Sequence, residues 1–297
     1  MGVQLNVDIA GKISELKDMM KDFELKLKLY RVLLRGKALE FEGYRQYGPE
    51  DDSSVIDWKA SMRSNKLMVK QYREEQDLKI MFVVDVGEHM VSGSTDKLKC
   101  EYAAEATASL AHLILDSGDK VGLIVYSGKI KDVIMPKRGL KHFQYFTDVL
   151  SDSSTYGGGS NLSVALDFLI DYVDESIKGV VLVSDFIRFP AHLMSKLSII
   201  GKKFETFAIM VKDPLDVNLP NVSGEVVIEN PVNGQQLLIN PKVARASYAQ
   251  YSMNEQNRVL SMFKHANIDI LPLTTDMKFA PMLSEFLRKR AVENKGI

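Results

Sequence analysis

An α/β fold, built on a mostly parallel sheet with helices on both faces, is what this sequence predicts, and three observations carry the prediction. Short apolar runs of strand length recur at Lys79–Asp85, Val121–Tyr126, Gly179–Ser184 and Phe204–Val211. Amphipathic segments with apolar residues three and four apart lie between them. With 297 residues, 45% of them hydrophobic and 26% charged, the chain is long enough to bury such a sheet and has the composition of ordinary globular protein. Strands that alternate with helices pair in parallel, because a parallel neighbour needs a long crossover and a helix supplies it.

Taken in order, the first forty residues read as helix, with Ile13, Leu16, Met20, Phe23 and Leu27 on one stripe expected to pack on the core. Glu40 to Gln76 mixes aromatic and charged residues. It contains turn chemistry at Gly48-Pro49 and Asp51-Asp52-Ser53, and Leu67–Tyr72 as an extended edge strand. After the strand at Lys79–Asp85, a helix from about Lys97 to Asp116 aligns Leu98, Tyr102, Ala106, Leu110 and Leu113, and Gly118 stops it. Lys131–Met135 is read as the hairpin partner of Val121–Tyr126. A short helix follows with Phe143, Phe146 and Leu150 on one side, then the loop Gly157-Gly158-Gly159-Ser160 and a helix aligning Leu162, Leu166, Leu169 and Val173. Gly179–Ser184 is a central strand and Ile268–Leu273 a last one. Asn233-Gly234 marks a two-stranded hairpin within Val226–Ile239, and helices near Lys242–His265 and Lys278–Arg290 close the chain. The expected division is an N-terminal helix and extension over 1–77 and the sheet domain over 78–297, with a hairpin insertion near 224–240.

Several function classes are disfavoured at once. A net charge of -1 supplies no basic surplus for nucleic acid. The single cysteine, Cys100, cannot form an internal disulfide, and no apolar run approaches the ~18 residues of a membrane span, so a cytoplasmic protein without a membrane span is expected. The sequence has no phosphate-loop or dinucleotide glycine pattern, no nucleophile elbow, no His-Glu-x-x-His and no Cys-x-x-Cys.

In an open parallel sheet a site belongs at the carboxyl ends of the strands where strand order reverses. That rule selects Asp85-Val86-Gly87-Glu88-His89-Met90, the loop Gly157–Ser160, and Ser184-Asp185-Phe186. Two carboxylates and a hydroxyl facing one crevice are hard oxygen donors of the kind that suits Mg²⁺ or Mn²⁺. The order strand-Asp, Gly-Gly-Gly-Ser-Asn-Leu, strand-Ser-Asp resembles a von Willebrand factor A domain and its metal-ion-dependent adhesion site. Four upstream blocks narrow the resemblance: Phe41-Glu42-Gly43-Tyr44-Arg45-Gln46-Tyr47, Glu50-Asp51-Asp52, Ile56-Asp57-Trp58-Lys59-Ala60-Ser61 and Leu67-Met68-Val69-Lys70. Together, over roughly Arg35 to Arg290, they are similar to the bacterial and archaeal domain-of-unknown-function family number fifty-eight. The resemblance implies a Rossmann-like doubly wound sheet of von Willebrand A type, a protein-binding face around the crevice and no catalysis. It also implies a partner, a MoxR-type AAA+ ATPase, acting on a client protein in chaperone-like assembly.

The chain departs from that family's metal loop, Asp-x-Ser-x-Ser, by carrying Gly87 and His89 where the two serines stand. Glycine offers no ligand, and imidazole favours softer metals. Asp85, Ser160 and Asp185 remain as a degenerate metal site that could hold Mg²⁺ or Mn²⁺ weakly, lined by Gly87, His89, Gly158 and Gly159. The two carboxylates then need loop amides, a protonated His89 or a partner's basic group to offset their repulsion.

Blander roles are available to the same residues. Asp85 can accept loop amides, Ser160 can cap its helix, and His89 can be a loop histidine with one backbone hydrogen bond. Trp58 is expected to be a packing anchor between the N-terminal segment and the sheet. Asp51, Asp52 and Asp57 are expected to serve turns or ion pairs with Arg45 or Arg63, and Lys129, Lys131, Lys137, Arg138 and Lys141 to form a solvated face. The expectation is a non-catalytic adaptor with that ATPase; the alternative is a divalent-metal-dependent α/β hydrolase or nucleotide-binding enzyme using Asp85 and Asp185.

Overall fold

Successive residues of the central strands face opposite helix layers, as the period of two in a strand requires. The computed structural model describes residues 5–20, 39–48, 51, 55–74, 78–174, 176–187, 189–229 and 234–293. In chain order the elements are α1 (Ile9–Met19), β1 (Leu39–Gln46), α2 (Trp58–Ser64), β2 (Met68–Glu74), β3 (Lys79–Asp85), α3 (Lys99–Asp116), β4 (Lys120–Tyr126) and β5 (Ile130–Lys137). They continue with α4 (Leu140–Ser151), α5 (Leu162–Asp171), β6 (Ile177–Ser184), α6 (Met194–Lys203), β7 (Glu205–Lys212), α7 (Pro214–Val217), β8 (Val226–Glu229), β9 (Gln236–Ile239), α8 (Pro241–His265), β10 (Asp269–Thr274) and α9 (Phe279–Glu293).

The main sheet has the order β10-β7-β6-β3-β4-β5, parallel except for the antiparallel edge strand β5. This is the Rossmann-like, von Willebrand A-type sheet that the resemblance implies. Ile80, Phe82 and Val84 of β3 enter one core with α1, α3, α4 and α9. Met81 and Val83 enter the other, with α5, α6 and α8. Strands buried on both faces read as continuous apolar runs, which is why these stand out in the sequence.

Order reverses between β3 and β6. From β3 the chain moves to β4 and β5 on one side, and β6, β7 and β10 lie on the other. The carboxyl ends of β3 and β6 therefore flank a crevice, and Asp85 and Asp185 stand there.

Helix α1 belongs to this body. Leu16 and Met20 are fully buried in the first core; Phe23 and Leu27, from the same stripe, lie outside the described residues. Two buried carboxylates of α3 tether the segment, Glu101 accepting from the Asn6 amide and Glu105 from the Asp8 amide at 2.7 Å. Lys17 pairs with Asp116 at 2.6 Å.

Strands β1 and β2 form a separate antiparallel pair that carries α2, whose N-cap is Asp57 through the Ala60 amide. Arg45 grips Asp51 with two hydrogen bonds of 2.6 and 2.5 Å, and this pairing holds the Asp51 carboxyl down at about 2. Asp52 lies outside the described residues. Trp58 is not the expected packing anchor: it is 64% exposed, as is Met62 one turn on at 77%. The buried position of α2 is Ser61, so Trp58 and Met62 lie on the solvent side of that helix. Lys129, Lys131, Lys137, Arg138 and Lys141 are exposed, as a solvated face should be. Strands β8 and β9 form the hairpin, with Gly234 at φ +67°; Asn233 is outside the described residues.

Candidate functional site

The crevice begins at Asp85, which is 1% exposed. Its Oδ1 accepts from the Gly87 amide at 2.9 Å. Its Oδ2 accepts from the hydroxyls of Ser160 at 2.8 Å and Ser184 at 2.9 Å. Asp185, 2% exposed, accepts from the Ile187 amide at 3.0 Å through Oδ1. That turn is set by Phe186, whose backbone sits at φ +50° while its ring packs on Phe263 at 4.9 Å. The three residues selected from sequence are thus brought together.

The glycine loop is stitched to the same place. Gly157 donates to the Val86 carbonyl at 2.8 Å, the Gly158 carbonyl accepts from Glu88 at 2.9 Å, and Asn161 donates to Ser127 at 2.9 Å. Gly158 needs its freedom, since its φ is +80°. Gly159 is exposed at the mouth. Ser160 is not the helix cap: Asn161 caps α5 through the Ser163 amide, because the Ser160 hydroxyl is turned back onto Asp85.

His89 is likewise more than a loop histidine with a backbone bond. Its Nε2 stands between the carboxylates, 3.4 Å from Asp85 and 3.5 Å from Asp185. Gly87 makes this possible. A Cβ on Gly87 would lie 2.7 and 2.8 Å from two atoms of the His89 ring, so the two departures from the family's serines are one steric solution. Burial opposes a charge on His89, but the bond to Asp85 and the fields of Asp185 and Asp85 outweigh it and raise its pKa. Burial likewise pushes the Asp85 carboxyl up, and the His89, Gly87 and Ser160 hydrogen bonds more than reverse it.

A second cation was not selected from sequence. Lys99, 2% exposed at the start of α3, places its Nζ 2.8 Å from Asp185 and 3.2 Å from Asp216. Burial penalises this ammonium, yet the two carboxylates hold its pKa above the ordinary lysine value. Asp213 completes the wall, accepting from the Ser94 hydroxyl and amide at 2.6 Å each and from Leu215 at 2.9 Å. Both additions leave a trace in the sequence. Lys99 lies in register with Tyr102, Ala106 and Leu110 on the buried stripe, where a lysine has no ordinary reason to be. Asp213 ends a strand just as Asp85 and Asp185 do.

For Mg²⁺ or Mn²⁺ the donors are already engaged by the protein itself. The oxygens of Asp85 accept from Gly87, Ser160 and Ser184, and those of Asp185 from Ile187 and Lys99. Lys99 and a protonated His89 bring two positive charges to Asp85, Asp185 and Asp216, and a divalent ion would add two more within a few ångströms. Among the described residues no group of three or more His, Cys, Asp or Glu is disposed to hold a metal ion. The residues present do not fit such an ion.

The model of the protein family of unknown function DUF58 matches residues 43–258. The chain belongs to that family. Uncharacterized protein Rv1480 of Mycobacterium tuberculosis is 27% identical over 263 residues, 87% of this chain and 81% of its own. Uncharacterized protein YeaD of Bacillus subtilis is 30% identical over 101 residues, 34% of this chain and 23% of its own. Among solved structures, the conserved hypothetical protein BatB from Bacteroides thetaiotaomicron matches at 13% identity and a TM-score of 0.47, covering 72% of this chain and 99% of that one. The VWA domain of SpRpn10 matches at 11% and 0.39, covering 69% and 93%. DUF58 carries no assigned catalytic activity, and no helix among the described residues is long and apolar enough to cross a membrane.

Proposed function

We propose that this DUF58 chain is a non-catalytic, cytoplasmic adaptor whose adhesion-type crevice is closed by its own cations, and that it works with a MoxR-type AAA+ ATPase on a client protein. The observation that carries the reading is the buried ammonium of Lys99 lying on Asp185 and Asp216, beside an imidazole between Asp85 and Asp185. In a metal-dependent adhesion site an ion neutralises the carboxylates and is itself exposed to a partner. Here the neutralising charges are tethered to α3 and to the loop after β3, so the crevice is a fixed, preorganised surface that needs no ion.

The same bonds weigh against hydrolysis or nucleotide chemistry at Asp85 and Asp185. A carboxylate saturated by two hydroxyls, an amide and an imidazole is neither a free base nor a nucleophile. The ATPase partnership is supported by the family resemblance, and the cytoplasmic setting by a buried, reduced Cys100.

The test is size-exclusion chromatography of the full chain with a MoxR-type ATPase encoded in the same genome, with and without ATP. A complex that forms with Mg²⁺-ATP and not without nucleotide is the expected result. Absence of a complex, together with phosphoester turnover lost in Asp85→Asn, would replace the adaptor with an enzyme.

A further inference from the structure

We propose that the cavity between the ends of β6 and β7 and helix α8 binds the carboxylate of an acidic peptide side chain, received by the ammonium of Lys212. The proposal deepens the adaptor reading by naming the chemistry of its ligand, and it rests on that reading only in making the ligand a peptide.

The cavity holds about 240 Å³ and is lined by Phe186, Lys212, Asp216, Tyr248, Tyr251 and Glu255, among others. That is smaller than the roughly 300–1,000 Å³ of sites for drug-sized ligands, and suits one side chain with its flanking backbone. Lys212 is only 7% exposed, yet among the described residues its Nζ makes one hydrogen bond, a long one of 3.3 Å to Gln256 Oε1. An ammonium has three donors, and a buried charge is stable only when it is paired and hydrogen-bonded.

Lys99, which meets Asp216 of this cavity from α3, shows what pairing does. With two carboxylates at 2.8 and 3.2 Å its pKa is raised. Burial lowers the pKa of Lys212, and the fields of Asp216, Asp185 and Glu255, opposed by that of Lys99, do not make good the loss. It is the under-compensated cation of the pair.

The carboxylates on the cavity wall do not fill that role. Asp216 is engaged by Lys99 and by the Asp213 amide at 2.9 Å, and Glu255 is held by Arg258 at 2.8 Å. Two hydroxyls of the lining are also occupied: that of Tyr248 donates to the Leu215 carbonyl at 2.7 Å and that of Ser252 to the Asp216 carbonyl at 2.6 Å. One unspent ammonium, with two acidic neighbours, favours a singly charged carboxylate over a doubly charged phosphate. At the mouth, Tyr251 at 64% and Ile187 at 45% exposure offer apolar surface for the methylenes of a glutamate and the adjoining chain.

The experiment is a titration of the full chain, followed by amide NMR shifts, with an acetylated and amidated hexapeptide bearing one central glutamate. Its glutamine and phosphoserine counterparts are the controls. Saturable shifts at residues around the cavity are expected with the glutamate peptide. Affinity should fall at least about tenfold for the glutamine peptide and in Lys212→Met, as loss of a charge-assisted hydrogen bond implies, and persist in Lys212→Arg. Lys212→Met removes an under-compensated buried charge and is expected to fold; Lys212→Gln is the second variant should it not. No saturation, equal binding of the glutamine peptide, tighter binding of the phosphoserine peptide, or unchanged affinity in the folded lysine variants would overturn the proposal. Failed peptide binding with an intact ATPase complex counts against this site alone, and the reverse counts against the adaptor reading alone.

Discussion

Replacing Lys99 by methionine keeps the length and volume of the side chain and removes its charge. Asp185 then loses a partner at 2.8 Å and Asp216 one at 3.2 Å. Removing one member of a buried ion pair costs about 3–5 kcal/mol, because the charge left behind is neither hydrated nor paired. The side chain of Asp185 is 3% exposed and cannot recover water, whereas that of Asp216 is 21% exposed and can in part. The lower end of the range, about 3 kcal/mol, is therefore expected. For a domain of this size that lowers the melting temperature by about 5 °C. Urea midpoints and thermal melts at neutral pH measure it. The variant should also gain a stabilisation by millimolar Mg²⁺, since three carboxylates would share one imidazolium. An unchanged or raised midpoint would refute the claim that Lys99 neutralises the crevice.

Gly87→Ser alone forces its Cβ into the His89 ring and within 3.1 Å of Asp85 Oδ1, and should cost about 1–2 kcal/mol; Gly87→Ser with His89→Ser should recover most of it in a double-mutant cycle. His89 has a raised pKa, so its contribution is fully present below its unfolded value near 6.5 and is lost as pH rises through the folded value. His112, whose pKa burial lowers, contributes the opposite slope, so the stability difference between the parent and His89→Gln isolates His89 and should shrink as the pH rises above the ordinary histidine value; a flat or growing difference contradicts the geometry. Trp58→Ala should move the urea midpoint by no more than about 0.5 kcal/mol, as exposed positions do, and a loss above about 2 kcal/mol would restore the packing-anchor role.

The central strands were legible because burial on both faces leaves runs such as Lys79–Asp85 and Gly179–Ser184 almost free of polar residues. The switch-point rule placed Asp85, Ser160 and Asp185 at one crevice, where the Ser160 hydroxyl bonds Asp85 and the His89 imidazole stands between Asp85 and Asp185. Strand β1 escaped because its residues alternate with charges and pair only with β2, leaving no apolar run to read. Helix α6 was also passed over: Leu197 and Ile200 are its buried side chains, too few in ten residues to mark a stripe. Trp58 misled because tryptophan is buried on average, and nothing in the sequence says which way the first turn of a seven-residue helix points. Lys99 escaped for a different reason. Its place on the apolar stripe of α3 is the one local sign, and which carboxylates it meets is decided by elements converging from positions 99, 185 and 216. His89 was already placed at the crevice by the sequence, as a group able to offset the repulsion of Asp85 and Asp185.

The most direct test of the closed crevice is the melting temperature of the unmodified protein in millimolar Mg²⁺ against the same protein in EDTA. An ion bound at a hundredfold excess over its dissociation constant stabilises a fold by about 2.7 kcal/mol, equivalent to about 5 °C here. With Lys99 and His89 already neutralising Asp85, Asp185 and Asp216, the two melts should coincide to within about 1 °C, the scale of a surface effect of a few tenths of a kcal/mol. A shift of about 5 °C that Asp85→Ala abolishes would contradict the account and return a metal ion to the crevice.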